Sequence, residues 1–111
     1  MEIIITEHLS YNLIKIDGRI DSYTAPQIEQ SFKSLFRNDR HNIIVDMEKV
    51  SYISSSGMLA FVNAKKSLIQ KNQGAIIFVA APQCVLSGFQ LAGFDQLFEF
   101  YENASMAVKR F

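Results

Sequence analysis

The chain has 111 residues, 49% of them apolar and 20% charged, the balance of one globular domain rather than of a disordered segment. Eleven Lys and Arg offset eleven Asp and Glu, so the broad positive field that non-specific nucleic-acid binding needs is absent. One cysteine, Cys84, excludes an internal disulfide framework and a multi-cysteine zinc site.

In chain order, Ile3 to His8 and Leu13 to Ile16 read as two strands of a hairpin. Gly18 and Asp21 punctuate the chain before a helix start at Thr24-Ala25-Pro26-Gln27. Thr24 is the expected N-cap, Pro26 lies in the first turn, and Gln27 completes a capping box. Ile28, Phe32, Leu35 and Phe36 then form one apolar helix face, ended by Asn38-Asp39-Arg40. Ile43 to Val45 and Ile76 to Val79 are continuous apolar runs, suited to strands buried on both faces of a parallel sheet. Between them, Met58, Phe61, Val62, Leu68 and Ile69 mark a helix from Met58 to Lys71, making a right-handed crossover. A third helix spans Gln83 to Leu91 and stops at Gly93. A short strand follows over Leu97 to Tyr101. Asn103 caps a last helix that turns Ala104, Ala107, Val108 and Phe111 inward.

The expected fold is α/β, a single domain over residues 1–111. It has a small mixed sheet of four to five strands, with about four amphipathic helices packed on it and starting near Ala25, Ser56, Gln83 and Ala104. Ile14, Ile16, Phe32, Ile44, Val45, Leu59, Val62, Ile77, Phe78, Leu91 and Val108 are the expected core. The longest apolar run, Ala75 to Ala81, is too short to cross a bilayer, and the N-terminus lacks a signal-peptide pattern. A soluble cytoplasmic protein is expected.

Catalytic residues are scarce. His8 and His41 lie in no metal-ligand spacing. Cys84, near a helix start, reads as a half-buried apolar residue rather than a nucleophile. No GxxxxGK[ST], GxGxxG or GxSxG motif occurs, so neither a phosphate cradle nor a hydrolase elbow is expected. No cofactor or metal is implied.

The informative stretch is Ser54-Ser55-Ser56-Gly57, where a short strand hands over to the central helix. One serine is enough to cap a helix. Three exceed that need, so the remaining hydroxyls must be exposed or bonded to the loop backbone. Gly57 permits close approach of another backbone. A helix N-terminus favours added negative charge, so a phosphoacceptor is compatible with this position but not required by it.

Three blocks carry a resemblance to a known family. Gly18-Arg19-Ile20-Asp21-Ser22-Tyr23-Thr24-Ala25 is similar to a G-x-[IL]-D-x-x-[ST]-A block. Asp46 to Ile53 leading into Ser54-Ser55-Ser56-Gly57-Met58 is similar to a central block ending D-S-[ST]-G-L, with Ser54 where the best-known members carry Asp. Phe89-Gln90-Leu91-Ala92-Gly93-Phe94 is similar to F-x-[LI]-[ST]-G-L. In this order the blocks resemble the STAS domain family, in particular the bacterial anti-sigma factor antagonists.

The resemblance implies a binding module, not an enzyme. Ser55 would be phosphorylated by a partner anti-sigma factor that is also a serine kinase, with Ser56 as second candidate. Asp21, Ser22, Tyr23, Ser54, Ser56 and Gly57 would form the partner-binding surface. The unphosphorylated protein would hold the anti-sigma factor and free the sigma factor, and a serine phosphatase would reset the switch. No direct nucleic-acid contact and no membrane insertion are implied. The alternative within the family is a STAS scaffold, or a soluble subunit of a signalling or transport complex, that is never phosphorylated.

Overall fold

The computed structural model describes all 111 residues. The elements are β1 (Glu2–Glu7), β2 (Asn12–Ile20), α1 (Ala25–Arg37), β3 (Asn42–Ile53), α2 (Ser55–Lys71), β4 (Ala75–Val79), α3 (Gln83–Leu91), a 3-10 turn (Asp95–Leu97), β5 (Glu99–Tyr101) and α4 (Ala104–Val108). The five strands form one sheet in the order β1-β2-β3-β4-β5. β1 and β2 pair antiparallel as a hairpin, and the other neighbours are parallel. The α/β reading and the four helix starts hold.

Alternation along the central strands divides the apolar side chains between two faces. Ile43, Val45, Ile76 and Phe78 join Ile14, Ile16 and the apolar sides of α1, α2 and α3 in the main core. Ile44, Ile77 and Val79 point to the other face, where Ala107 of α4 covers them. Phe78 is the hub of the main core, with ring centroids of Phe61, Phe89, Phe98 and Phe100 between 4.9 and 5.3 Å away.

β3 is longer than its apolar run, 12 residues against the three of Ile43 to Val45. Polar residues from Asp46 onward interrupt the hydrophobic signal but not the ladder with β2. Pairing shifts by one residue between Lys15 and Asp17 and again between Gly18 and Arg19, so β3 carries an extra residue at each place. Asp46 Oδ1 accepts the Glu48 N–H at 3.0 Å in the first of these bulges. β4 pairs only with Asn42 to Asp46, so the second half of β3 projects beyond it. α3 packs against that projecting half.

Several expectations are corrected. Leu59 is 47% exposed and Leu91 is 90% exposed, so neither is core. Leu59 shares the solvent stripe of α2 with Ser56 and Asn63, at offsets of three and four residues. Ile69 lies on the solvent side of the same helix, 61% exposed. Leu91 is two residues, about 200° of helical turn, past the buried Phe89. Val108 is only partly buried because α4 is a single short turn over the sheet. Cys84 is exposed. The last strand begins at Glu99 rather than Leu97, since the 3-10 turn takes the preceding residues. Thr24 precedes α1 but makes no side-chain cap bond, because its hydroxyl turns back toward Asp21 and Arg19.

Candidate functional site at the ends of two parallel strands

β2 and β3 end side by side, Ile20 paired with Ile53. Each strand then feeds a helix, so two strand-to-helix junctions leave the same end of the sheet, the end where α/β proteins commonly place their sites. The junctions are tied together by the Ser54 N–H, which donates to the Ile20 carbonyl at 2.8 Å.

At the first junction the polar side chains are consumed locally. Asp21 Oδ1 accepts from the N–H groups of Tyr23 at 3.0 Å and Thr24 at 3.2 Å, closing an Asx turn. Thr24 Oγ1 accepts the Asp21 N–H at 2.8 Å and donates to the Arg19 carbonyl at 2.9 Å. That hydroxyl points back into the turn, which is why it does not cap α1. Arg19 places its guanidinium 3.9 Å from Asp21 Oδ2 and 4.4 Å from the centroid of the Tyr52 ring. Burial acts to raise the Asp21 pKa, but the N–H donors of Thr24 and Tyr23, the Thr24 hydroxyl and the Arg19 charge outweigh it. The carboxyl is held below its ordinary value and stays ionised. Ser22 and Tyr23, at the tip of the turn, are exposed, Tyr23 to 89%.

The second junction divides its three serines. Ser54, in extended backbone conformation, is the N-cap of α2, and its Oγ accepts the Gly57 N–H at 3.1 Å. Its carbonyl takes the Met58 N–H at 2.9 Å. Ser55 and Ser56 are the first two residues of the helix and are exposed. At these positions the backbone N–H groups have no partner within the helix and the positive end of the dipole is closest. Gly57 is buried. A Cβ there would lie 2.6 Å from Ile20 Cγ2 and 2.9 Å from the Ile20 carbonyl oxygen. Gly57 therefore supports the surface from beneath by letting α2 sit on the end of β2.

α3 flanks the same end. Cys84 Sγ lies 3.9 Å from the Ser51 carbonyl, and Gly88 passes close to Ile53 and Met58. The two histidines lie elsewhere. His8 stacks on Tyr11 at 4.5 Å in the hairpin, and His41 stacks on Phe36 at 5.5 Å, before the start of β3. Neither is placed to deprotonate a serine of the junction. No group of three or more His, Cys, Asp or Glu side chains is arranged to hold a metal ion. No helix is long and apolar enough to cross a membrane. The junction presents hydroxyls, a fixed carboxylate and an exposed aromatic ring.

Of the residues expected here, Asp21, Ser22, Tyr23, Ser54, Ser55 and Ser56 are brought to one end of the sheet. Three contributors escape a reading of the sequence. Arg19 and Tyr52 are ordinary strand residues until the second bulge of β3 sets the cation over the ring. Leu59 looks like core until the solvent stripe of α2 is seen to run from Ser56 through it.

Residues 2–107 match the STAS domain family model. The chain belongs to the STAS domain family. The anti-sigma-B factor antagonist of Listeria monocytogenes is 29% identical over 94 residues, 85% of this chain and 79% of that protein. The structure of the anti-sigma factor antagonist SpoIIAA in its unphosphorylated form superposes with a TM-score of 0.82 at 19% identity, over 98% of this chain and 95% of that one. Bacillus SpoIIAA in its phosphorylated form gives 0.75 at 18% identity, over 98% of both chains. At these identities the two structures speak for the fold. Each strand-to-helix junction just described is thus a feature of a STAS domain.

Proposed function

We propose that this STAS domain is an anti-sigma factor antagonist whose partner binding is switched by phosphorylation of Ser55. The observation that carries the reading is the division of labour among the serines. Ser54 is held as the helix cap, which leaves the Ser55 and Ser56 hydroxyls free at the positive end of α2, and the resemblance of the central block to the family's favours Ser55 over Ser56 as the acceptor. Family membership and the names of the relatives support the antagonist role. SpoIIAA, a protein of the same fold, is known in both phosphorylated and unphosphorylated forms.

In this reading the partner is an anti-sigma factor that is also a serine kinase. Ser55 Oγ attacks the γ-phosphorus of the kinase's ATP, its proton passes to a base of the kinase, and ADP leaves. The chain supplies the acceptor and no catalyst. A serine phosphatase resets the protein by hydrolysing the phosphoserine, water taking up the phosphoryl group and inorganic phosphate leaving. The exchange takes place in the cytoplasm, with no direct nucleic-acid contact and no membrane insertion. Asp21, Ser22, Tyr23, Ser54 and Ser56 line the contact surface, and Gly57 shapes it from within.

The switch is electrostatic. A phosphate brings about −1.5 to −2 charges at neutral pH. On the first turn of α2 that charge is compatible with the protein's own fold. The Asp21 carboxylate, kept ionised in the neighbouring turn, is offset by the Arg19 guanidinium 3.9 Å away, so the unphosphorylated surface carries little net charge. A partner that matches that surface would have to desolvate or oppose the phosphate dianion once it is added. The departure from Asp at Ser54 keeps the capping acceptor while removing one negative charge, so helix geometry is retained.

The test is a titration of the cognate anti-sigma factor against the parent, the phosphorylated protein and Ser55→Asp. Phosphorylation is expected to weaken binding by at least about tenfold, ~1.4 kcal/mol, and Ser55→Asp by less, since a carboxylate carries less charge. Equal affinity of the parent and phosphorylated forms would remove the switch and leave an unphosphorylated scaffold.

A further inference from the structure

The two edges of the sheet are built differently. β5 is three residues long, and the Arg110–Glu99 ion pair (2.7 Å) lies across its start. β1 is six residues long, in unbroken register with β2, with neither a proline nor a bulge. Edge strands are usually blunted by such devices because their free N–H and C=O groups invite pairing. The only charges of β1 are at its ends. Glu7 lies 4.0 Å from Arg40, and Glu2 lines a depression with Lys15 and Lys49. Between them Ile4 is 50% and Ile5 is 40% exposed.

The hairpin determines which backbone groups are free. His8 N–H donates to the Tyr11 carbonyl at 2.9 Å, which makes this a hydrogen-bonded pair. Such pairs alternate in an antiparallel ladder, so Thr6, Ile4 and Glu2 also bond to β2. The N–H and C=O groups of Ile3, Ile5 and Glu7 therefore point to the open edge.

We propose that β1 pairs antiparallel with β1 of a second copy, about a twofold axis through Ile4. In that register Ile3 of each copy faces Ile5 of the other, and their outward backbone groups form four hydrogen bonds. Ile4 meets Ile4 in the non-hydrogen-bonded position, where side chains approach most closely. Glu2 faces Thr6, so no carboxylate opposes another. On the helix-bearing face, the Ile16–Ile3 and Ile14–Ile5 pairs within each hairpin join into continuous rows across the interface. The strand complements itself in sequence, charge and backbone direction, which is why a second copy is the occupant. The contact is isologous and closes at two copies. It spans about five residues a side, below the ~1,200 Å² of a standard interface, so association is reversible and concentration-dependent.

Sedimentation equilibrium from low micromolar to near-millimolar protein tests this, paired with amide exchange at both extremes. The parent is expected to move from monomer to dimer. Protection of the Ile3 and Ile5 amides should rise with concentration while that of Ile4 and Thr6, already bonded to β2, changes little. Ile4→Lys sets two ammonium groups face to face and should remain monomeric. Ile5→Pro, which removes an outward N–H that β2 does not use, should do the same. Leu91→Lys, exposed on α3, should dimerise like the parent. A parent that stays monomeric throughout, grows beyond a dimer, or dimerises with no change at those two amides overturns the proposal. So does an Ile4→Lys variant that dimerises as the parent does.

Discussion

α1 and α2 begin at the same end of the sheet, after strands that finish at one ladder pair, Ile20 and Ile53, yet they handle their polar residues in opposite ways. At α1 the hydroxyl and carboxylate turn inward. Thr24 and Asp21 bond to each other's backbone and leave the helix without a side-chain cap. At α2 a single serine satisfies the backbone, and two more stand in solvent. The difference arises one residue earlier. Ser54 is held by the Ile20 carbonyl in extended geometry, the conformation a capping residue needs, whereas Thr24 sits in helical geometry and cannot reach forward. A helix start is open to chemistry when its cap is supplied by a residue other than the reactive one.

The largest effect that separates the two junctions is steric. Gly57→Ala drives a methyl group into Ile20, including its carbonyl oxygen, and is expected to cost about 1–3 kcal/mol, read as a lower urea midpoint. Gly88→Ala on α3 meets only ordinary contacts of 3.6 and 3.8 Å, so it should be neutral or stabilising by up to about 1 kcal/mol. Equal losses for both would mean that α2 does not sit on β2 as described.

The caps come next. Ser54→Ala should cost about 1 kcal/mol, while Ser54→Asp, a cap of equal rank beside a favourable dipole, should cost almost nothing. Thermal unfolding of the pair reads this directly. At α1, Asp21→Asn should show its defect in the pH dependence. A carboxyl whose folded pKa is lowered stabilises above its unfolded value and loses that contribution as pH falls through the folded one. The parent's advantage over Asp21→Asn should therefore be full at neutral pH and shrink once the pH falls below the ordinary 3.8. A gap that widens in acid would contradict the bonding assigned to Asp21.

The smallest stability effect is expected at Ser55, the proposed phosphoacceptor. Ser55→Ala removes an exposed hydroxyl that caps nothing and should change stability by no more than about 0.5 kcal/mol. A loss as large as that of Ser54→Ala would show that the cap had been misassigned.

Much of the fold is legible where periodicity is strong and unopposed. The Ile28, Phe32 and Leu35 face of α1 and the run of β4 are buried as their spacing implies. β3 is underestimated because its second half faces solvent on one side and carries bulges, so neither a continuous nor an alternating pattern survives. Leu59 and Leu91 mislead because leucine in a helix reads as core wherever the polar stripe is not yet located. At the site, three adjacent serines announce a surplus of hydroxyls. Which of them caps is invisible in one dimension, since each fits the pattern. The answer comes from the partner strand, through the Ile20 carbonyl.

If Ser54 serves the helix and Ser55 accepts the phosphate, site-resolved mass spectrometry of the parent, Ser54→Ala, Ser55→Ala and Ser56→Ala after incubation with the cognate kinase and ATP will separate the two roles. One phosphate is expected, on Ser55, in the parent and in the Ser56→Ala protein, with a reduced yield at the same residue in Ser54→Ala and none in Ser55→Ala. Phosphate retained by Ser55→Ala, or mapped in the parent to Ser54, Ser56, Thr24 or Ser87, would contradict this division of roles.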